Sequence, residues 1–173
     1  MEKTSNKVIE FLSCNDYFDI DADWSRLRRS IFKTQSVIWL KKRDSTFYDT
    51  SYYVRTCKCV LHLWKSRPRP EIIFEQIQSA LPDLIHIEYR ERYDETEEIS
   101  NHEDEYLDRI DLYINPQHIS TFINIPSDNG DKISLYFDDG SFLTLIPKNK
   151  TSKQIYKEIQ GAFKEEYISN QLS

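Results

Sequence analysis

The sequence has few glycines, and this scarcity excludes the common nucleotide-binding motifs. Loops that cradle phosphate groups need glycine where the backbone approaches the ligand closely. The chain has three glycines, Gly130, Gly140 and Gly161, and they lie far apart in the sequence. It therefore lacks both a dinucleotide-binding fingerprint and a nucleoside-triphosphate loop.

Long apolar runs and paired cysteines are also missing. The longest purely apolar runs have four residues, as at positions 37–40, whereas a membrane span needs about 20. The N-terminal residues lack the apolar stretch of a secretory signal, so we expect the chain to stay in the cytoplasm and to have no membrane partner. Its three cysteines, Cys14, Cys57 and Cys59, are then reduced thiols rather than a disulfide framework.

Two of these cysteines, Cys57 and Cys59, suggest zinc because His62 follows closely. Residues two apart on a strand are separated by about 6.6 Å, however, and no second cysteine pair is present to complete a tetrahedral site. Free cysteine also behaves as a small hydrophobic residue. We therefore interpret both as half-buried thiols, and we predict no metal site and no cofactor.

What the sequence does contain is enough apolar material for a folded core. Apolar residues make up 39% and charged residues 30% of the 173 positions, which is typical of a globular protein. A chain of this length fits one domain covering residues 1–173. The order of the predicted elements favours an α+β fold, mainly an antiparallel sheet with helices near both ends packed on it.

The N-terminal half predicts three helices and three strands. A first helix is capped by Ser5 and carries Val8, Phe11 and Leu12 on one stripe, and a second runs from the cap Asp23 through Ile31. Strands are predicted at 37–40 and 52–64, which pair in antiparallel fashion, and at 84–90. The third helix begins at Pro70 and ends before Pro82.

The C-terminal third predicts four short strands followed by a helix. The strands cover 110–114, 119–125, 132–137 and 141–146. Asp139-Gly140 favours a two-residue hairpin turn, which places Phe137 opposite Phe142. The capping box Thr151–Gln154 begins a closing helix with an apolar stripe, formed by Ile155, Ile159, Phe163 and Tyr167.

Charge divides along the chain. Residues 1–70 carry a formal charge of +6 and residues 71–173 carry −12. Between Tyr93 and Asp111 the acidic residues are Asp94, Glu95, Glu97, Glu98, Glu103, Asp104, Glu105, Asp108 and Asp111. This segment predicts an exposed loop or a frayed helix, which is either a solvating surface or a docking surface for a basic protein.

His86, Glu88 and Arg90 alternate along a predicted strand, so they share one face. A proton-transfer group, a carboxylate and a phosphate-binding cation together suit metal-independent cleavage of a phosphodiester. A solvated sheet face with a cross-strand ion pair explains the same pattern and is favoured.

A basic group in the first half offers a third interpretation, with Trp24 and Trp39 available for stacking on bases. The group comprises Arg26, Arg28, Arg29, Lys33, Lys41, Lys42 and Arg43. The sequence pI of about 5.3 argues against nucleic acid as the partner.

Taken together, these features favour a non-catalytic binding protein. The specific hypothesis is a cytoplasmic inhibitor, or immunity protein, that neutralises a basic toxin domain such as a nuclease by direct binding. Two alternatives stay open: a metal-independent phosphodiesterase or ribonuclease, and a nucleic-acid-binding or regulatory adaptor.

Overall fold

The computed structural model describes residues 7–13, 28–46, 48–63, 65–91, 107–128 and 130–163. Its elements are mostly antiparallel strands with two helices in these ranges, which confirms the predicted α+β class. In chain order the elements are β1 (Val8–Ser13), β2 (Arg28–Lys33), β3 (Val37–Asp44), β4 (Ser51–Thr56), β5 (Val60–His62), α1 (Pro70–Ala80), β6 (Ile85–Glu91), β7 (Asp108–Ile114), β8 (Ile119–Ile125), β9 (Lys132–Phe137), β10 (Phe142–Leu145) and α2 (Ser152–Ala162).

A five-stranded antiparallel sheet, ordered β5-β4-β3-β7-β6, lies at the centre of the fold. The predicted pairing of the strand at 37–40 with the next strand is confirmed, although β3 extends further, to Asp44. The alternation predicted for β6 is also confirmed, because Ile85, Ile87 and Tyr89 are buried. In this strand order β3 is the central strand. Other elements pack on both faces of the sheet.

Two hydrophobic cores lie on the two faces of this sheet. On one face, residues such as Ile87 and Leu112 pack with the three-stranded sheet β10-β9-β8 and with helix α2. On the other face, Leu40 and Val54 pack with helix α1 and the β1–β2 ribbon. Ile77 of α1 is fully buried there. The central sheet thus belongs to both cores.

The predicted N-terminal helices are wrong where the structure describes them. Residues 8–13 and 28–33 form the antiparallel ribbon β1–β2, in which Ile9 and Phe11 are buried while Glu10 is exposed. Phe11 packs edge-to-face on Phe32, with ring centroids 6.2 Å apart. In so short a segment the apolar residues satisfy a helical and a strand period equally, and burial against the sheet decides between them. The caps Ser5 and Asp23 lie outside the described residues.

The long strand predicted at 52–64 is divided in two by a turn at residues 57–59. Thr56 holds this turn: its backbone nitrogen donates to the Cys59 carbonyl at 2.9 Å, and its hydroxyl accepts from the backbone nitrogens of Lys58 and Cys59 at 3.3 Å. Cys57 and Cys59 are exposed rather than half-buried. The strand spacing assumed for the two thiols is therefore wrong.

The β9–β10 hairpin is one residue out of the predicted register. Phe142 lies opposite Tyr136, not Phe137, and the Phe137 nitrogen donates to the Ser141 carbonyl at 2.9 Å. The loop consequently has three residues, and Gly140 takes the left-handed conformation with φ of 83°. A three-residue loop that ends in a left-handed residue, most readily glycine, is a common connection in a β-hairpin.

Both described helices begin where they are predicted to begin. Pro70 is the first residue of α1, and the capping box Thr151–Gln154 opens α2. Ile155 and Ile159 are buried as expected, whereas Tyr167 lies outside the described residues. Among the residues that the structure describes, neither helix has the length and apolar character needed to cross a membrane.

Candidate functional site

One face of the five-stranded sheet carries a continuous group of polar side chains, which we call the polar sheet face. Helix α1 covers the neighbouring part of the same face, where Phe74 contacts Tyr52 and Tyr113 edge-to-face. The strand registers align the polar residues in rows across three strands. The polar sheet face comprises Lys42, Asp44, His86, Glu88, Arg90, Arg109 and Asp111.

His86 and Asp111 form a close pair within the polar sheet face. The His86 Nε2 lies 2.7 Å from Asp111 Oδ1, and the ring stacks on Tyr113 with centroids 4.6 Å apart. An ionised carboxylate only accepts, so Nε2 donates a hydrogen to it. The amide nitrogen of Asn149 lies 3.5 Å from His86 Nδ1. A histidine oriented by a buried carboxylate is an arrangement that general bases use.

Glu88 and the two arginines of this face pair with one another. Arg109 Nη2 lies 3.1 Å from Glu88 Oε2, and Arg90 Nη2 lies 3.5 Å from Glu88 Oε1. The negative charges of Asp111 and Glu88 raise the pKa of Arg109. The structure thus brings the predicted trio of His86, Glu88 and Arg90 to one face, where a phosphate would have to compete with Glu88 for both guanidinium groups.

The acidic segment is more divided than the sequence suggests. Asp108 and Asp111 lie on β7 with residue exposures of 3% and 6%, so for them the predicted exposed loop is wrong. Asp108 accepts a hydrogen bond from Arg43 Nε at 2.6 Å. Because β7 pairs with β3 on one side and with β6 on the other, both carboxylates have side chains of neighbouring strands on either side of them. The other predicted contact residues, Asp94, Glu95, Glu97, Glu98, Glu103, Asp104 and Glu105, lie outside the described residues.

The connection that contains those seven acidic residues begins and ends at one place on the sheet. Glu91, the last residue of β6, lies opposite Asp108, the first residue of β7. Glu91 accepts a hydrogen bond from Lys41 at 2.7 Å and lies 3.7 Å from Arg43. At the strand ends where residues 92–106 begin and end, the two acidic residues Glu91 and Asp108 are therefore neutralised by Lys41 and Arg43.

The basic group predicted for nucleic acid is used largely for ion pairs. Lys41 and Arg43 contact Glu91 and Asp108, and Lys42 lies 3.1 Å from Asp44. On β2, Arg29 pairs with Glu10 at 3.0 Å. Trp39 is half-buried against the core shared with α2. Trp24 and Arg26 lie outside the described residues.

A cluster that sequence reasoning missed lies beside the β4–β5 turn. One candidate ligand atom from each of Cys57, His118 and Asp138 lies within 4.8 Å of the other two. Burial raises the pKa of the Cys57 thiol, and the charges of Asp138 and Asp139 add to the effect. The three residues come from separate parts of the chain, and no spacing rule links them.

The partners first suggested for Cys57 lie elsewhere. Cys59 Sγ faces the Thr56 hydroxyl at 3.8 Å. His62 stacks on Tyr53 with ring centroids 4.5 Å apart, and burial lowers its pKa. The grouping of Cys57, Cys59 and His62 considered from the sequence is therefore not formed.

Comparison of the chain with protein-family models, with curated proteins and with solved structures finds no match.

Proposed function

We propose that this protein is a non-catalytic binding protein, a cytoplasmic inhibitor or immunity protein that neutralises a basic toxin domain, such as a nuclease, by direct binding. The observation that carries the proposal is the distribution of charge. Residues 92–106 contain seven acidic residues and Arg92, a formal charge of −6, which equals the formal charge of the entire chain. The remainder of the chain is formally neutral.

The geometry of the sheet supports a single acidic surface. Both ends of this stretch are fixed at neighbouring strand ends, at Glu91 and Asp108. Fifteen residues that leave and return to one place reach at most roughly 25 Å from it. The charge surplus of residues 92–106 therefore stays within that distance of one end of the sheet, where its field would attract a cationic partner and raise the rate of encounter.

The ion pairs of the sheet support the same interpretation. Asp108 is paired with Arg43, Asp111 with Arg109 at 3.4 Å, and Glu91 with Lys41. Charges held in internal pairs contribute little field to the surroundings, because the two signs cancel at a distance. Of the nine acidic residues predicted to contact a partner, Asp108 and Asp111 are held in pairs on β7, the strand at which the stretch ends. The proposal therefore rests on the seven acidic residues in 92–106.

The experiment isolates the partner and then measures its binding kinetics. The tagged protein is used for affinity capture from its native cells, the stoichiometric partner is identified, and its activity is titrated with the pure protein. We expect loss of the partner's activity at a one-to-one ratio. Association is then measured over a range of salt concentrations for the wild type and for a variant with Glu97, Glu98, Glu103, Asp104 and Glu105 changed to the corresponding amides.

The neutralised variant is expected to associate more slowly and with a flatter salt dependence, because peripheral charges act mainly on the encounter rate. The matched control changes Glu71, Glu75 and Asp83, which are exposed on α1 and just after it, to amides. For each charge removed, the association rate of this control should fall less than that of the neutralised variant. Equal rates for wild type and variant at every salt concentration would show that the acidic stretch is not the binding surface.

The His86–Asp111 pair supports a second candidate function, the metal-independent phosphodiesterase. His86 has 34% of its side chain exposed while Asp111 has 8%, so an oriented imidazole is accessible from solvent. We expect the pure protein not to cleave RNA or DNA. Robust turnover by the wild type that is lost in His86→Ala, with an unchanged melting temperature, would reverse the order of the two proposals.

A further inference from the structure

We propose that Cys57, His118 and Asp138 form a binding site for a divalent transition metal, and that zinc fits it best. The three residues converge from the β4–β5 turn, from the short 3-10 turn Pro116–His118 and from the β9–β10 loop. They offer a thiolate, an imidazole and a carboxylate, which are the three ligand types that protein zinc sites combine.

The distances within the cluster are close to those of a bound ion. The three candidate ligand atoms lie within 4.8 Å of one another. Around a tetrahedral zinc ion the corresponding distances are about 3.3 Å between nitrogen and oxygen and about 3.6 Å between nitrogen and sulfur. The nitrogen and oxygen, now 2.8 Å apart, must therefore separate by about 0.5 Å, and the sulfur must approach them by at most about 1 Å. Cys57 is exposed and the Asp138 side chain is 51% exposed, so both can rotate without disturbing a core.

The hydrogen bonds of His118 hold its ring in the orientation that a metal ligand needs. Its Nε2 lies 2.7 Å from the Gln35 carbonyl oxygen, which can only accept, so Nε2 carries a hydrogen. Its Nδ1 lies 2.8 Å from Asp138 Oδ2 and is the nitrogen that would bind the metal. A backbone carbonyl that accepts from the second ring nitrogen is a common support for metal-binding histidines.

The same geometry argues against a nucleophilic cysteine with a histidine base. Both ring nitrogens of His118 face oxygen atoms, Nδ1 that of Asp138 and Nε2 that of Gln35. A base for the thiol would need one of them. A metal ion instead takes the place of the hydrogen between Nδ1 and Asp138 and of the Cys57 thiol hydrogen, which now points at the Ser36 carbonyl oxygen, and both protons pass to solvent.

The choice of zinc follows from the ligand types and their number. Calcium and magnesium prefer sites made entirely of oxygen ligands, whereas thiolate with imidazole favours zinc. Three protein ligands leave the fourth tetrahedral position for water. Because Cys57 belongs to a turn of the five-stranded sheet and Asp138 to a loop of the three-stranded sheet, the ion would link the two sheets.

The test uses the full chain, treated with EDTA and dialysed, and zinc chloride as the probe. Calorimetric titration should show one zinc ion bound per chain, and added zinc should raise the melting temperature. Cys57→Ser and Asp138→Asn should each weaken zinc binding at least tenfold. Cys59→Ser is the matched control, because this exposed thiol lies two residues away and faces Thr56; it should bind zinc like the wild type, as should Cys14→Ser.

Cobalt provides a second readout that does not depend on the stability of a variant. Cobalt bound to the wild type should show the near-ultraviolet charge-transfer absorption of a thiolate ligand, and Cys59→Ser and Cys14→Ser should retain it. The proposal is overturned if the wild type binds no zinc at micromolar concentrations, if Cys57→Ser binds zinc as tightly as Cys59→Ser, or if the cobalt absorption persists without Cys57 and disappears without Cys14 or Cys59.

Discussion

At the scale of single residues, burial changes the chemistry of a histidine on the short strand β5. His62 stacks almost parallel on Tyr53, with an interplanar angle of 11°, and it lies opposite Tyr53 in the β4–β5 pairing. Removal from water disfavours the charged imidazolium, so the pKa of His62 lies below its usual value of 6.5. The native state therefore binds a proton at this residue less readily than the unfolded chain does.

This difference predicts an acid sensitivity that belongs to His62. Its pKa is lowered in the folded state, so its contribution to stability is fully present above pH 6.5 and is lost as the pH falls towards the folded-state pKa. We expect His62→Phe, which keeps a ring for Tyr53, to show a smaller fall in the free energy of unfolding between pH 7.5 and pH 5.5. Urea unfolding at several pH values measures this fall in the free energy of unfolding, with Tyr53→Phe as the control. Parallel pH profiles for His62→Phe and the wild type would contradict it.

At the scale of elements, the β9–β10 loop shows how one backbone conformation sets a strand register. Gly140 has φ of 83°, a conformation that residues with a Cβ rarely adopt. A Cβ built at this position meets no atom within 4 Å, so any cost of a substitution comes from the backbone alone. Gly161, near the end of α2, also has open space around its Cβ position but has no such φ constraint.

Alanine at these two glycines should therefore have opposite effects. Gly140→Ala should lower the free energy of unfolding by about 1 kcal/mol, because the left-handed conformation is strained for alanine. Gly161→Ala should raise it by up to about 1 kcal/mol, because alanine favours a helix more than glycine does. Chemical denaturation of the two variants beside the wild type measures the difference. An equal change of the same sign in both would disprove the assigned loop conformation.

Elements were predictable where the local sequence favours only one structure. Pro70 can begin a helix but not continue one, and the Thr151–Gln154 box satisfies the free nitrogens of a helix start; both predictions hold. The alternation along β6 is equally specific. The segment at Val8–Ser13 favours neither period, and its pairing with β2, twenty residues further on, decides its structure.

At the scale of the whole molecule, the two hydrophobic cores share the central sheet. Ile77 is buried in the core beneath α1, and Ile133 is buried in the core beneath α2, each with no exposed area. Because the two cores pack on opposite faces of the same five strands, loss of either exposes one face of the sheet and destabilises the strands on which the other core packs. We therefore expect the chain to unfold as one unit.

A pair of conservative truncations tests this expectation. Ile77→Val and Ile133→Val should each lower the free energy of unfolding by about 1 kcal/mol. Each should shift one common transition, seen at the same denaturant concentration by circular dichroism and by tryptophan fluorescence. If either substitution shifted only part of the signal, or if the two probes separated, the chain would contain two independently folding units.

The sequence alone determined the fold class, most of the central and C-terminal strands and both described helix starts, because period, capping residues and composition act over a few neighbouring positions. It also placed His86, Glu88 and Arg90 on one face and located the charge surplus in residues 92–106. The tertiary structure decided that Asp108 is an internal ion-pair partner rather than a surface charge, because that depends on Arg43 from a distant strand.

Only the tertiary structure brings Cys57, His118 and Asp138 together. They are separated by many residues in the chain, and strand pairing and loop conformation in two different sheets carry them to one place. Side chains that meet through long-range packing leave no spacing pattern in the sequence, since the intervening residues serve other elements. For this reason the sequence argued against a metal site formed by Cys57, Cys59 and His62. It gave no indication of the proposed site formed by Cys57, His118 and Asp138.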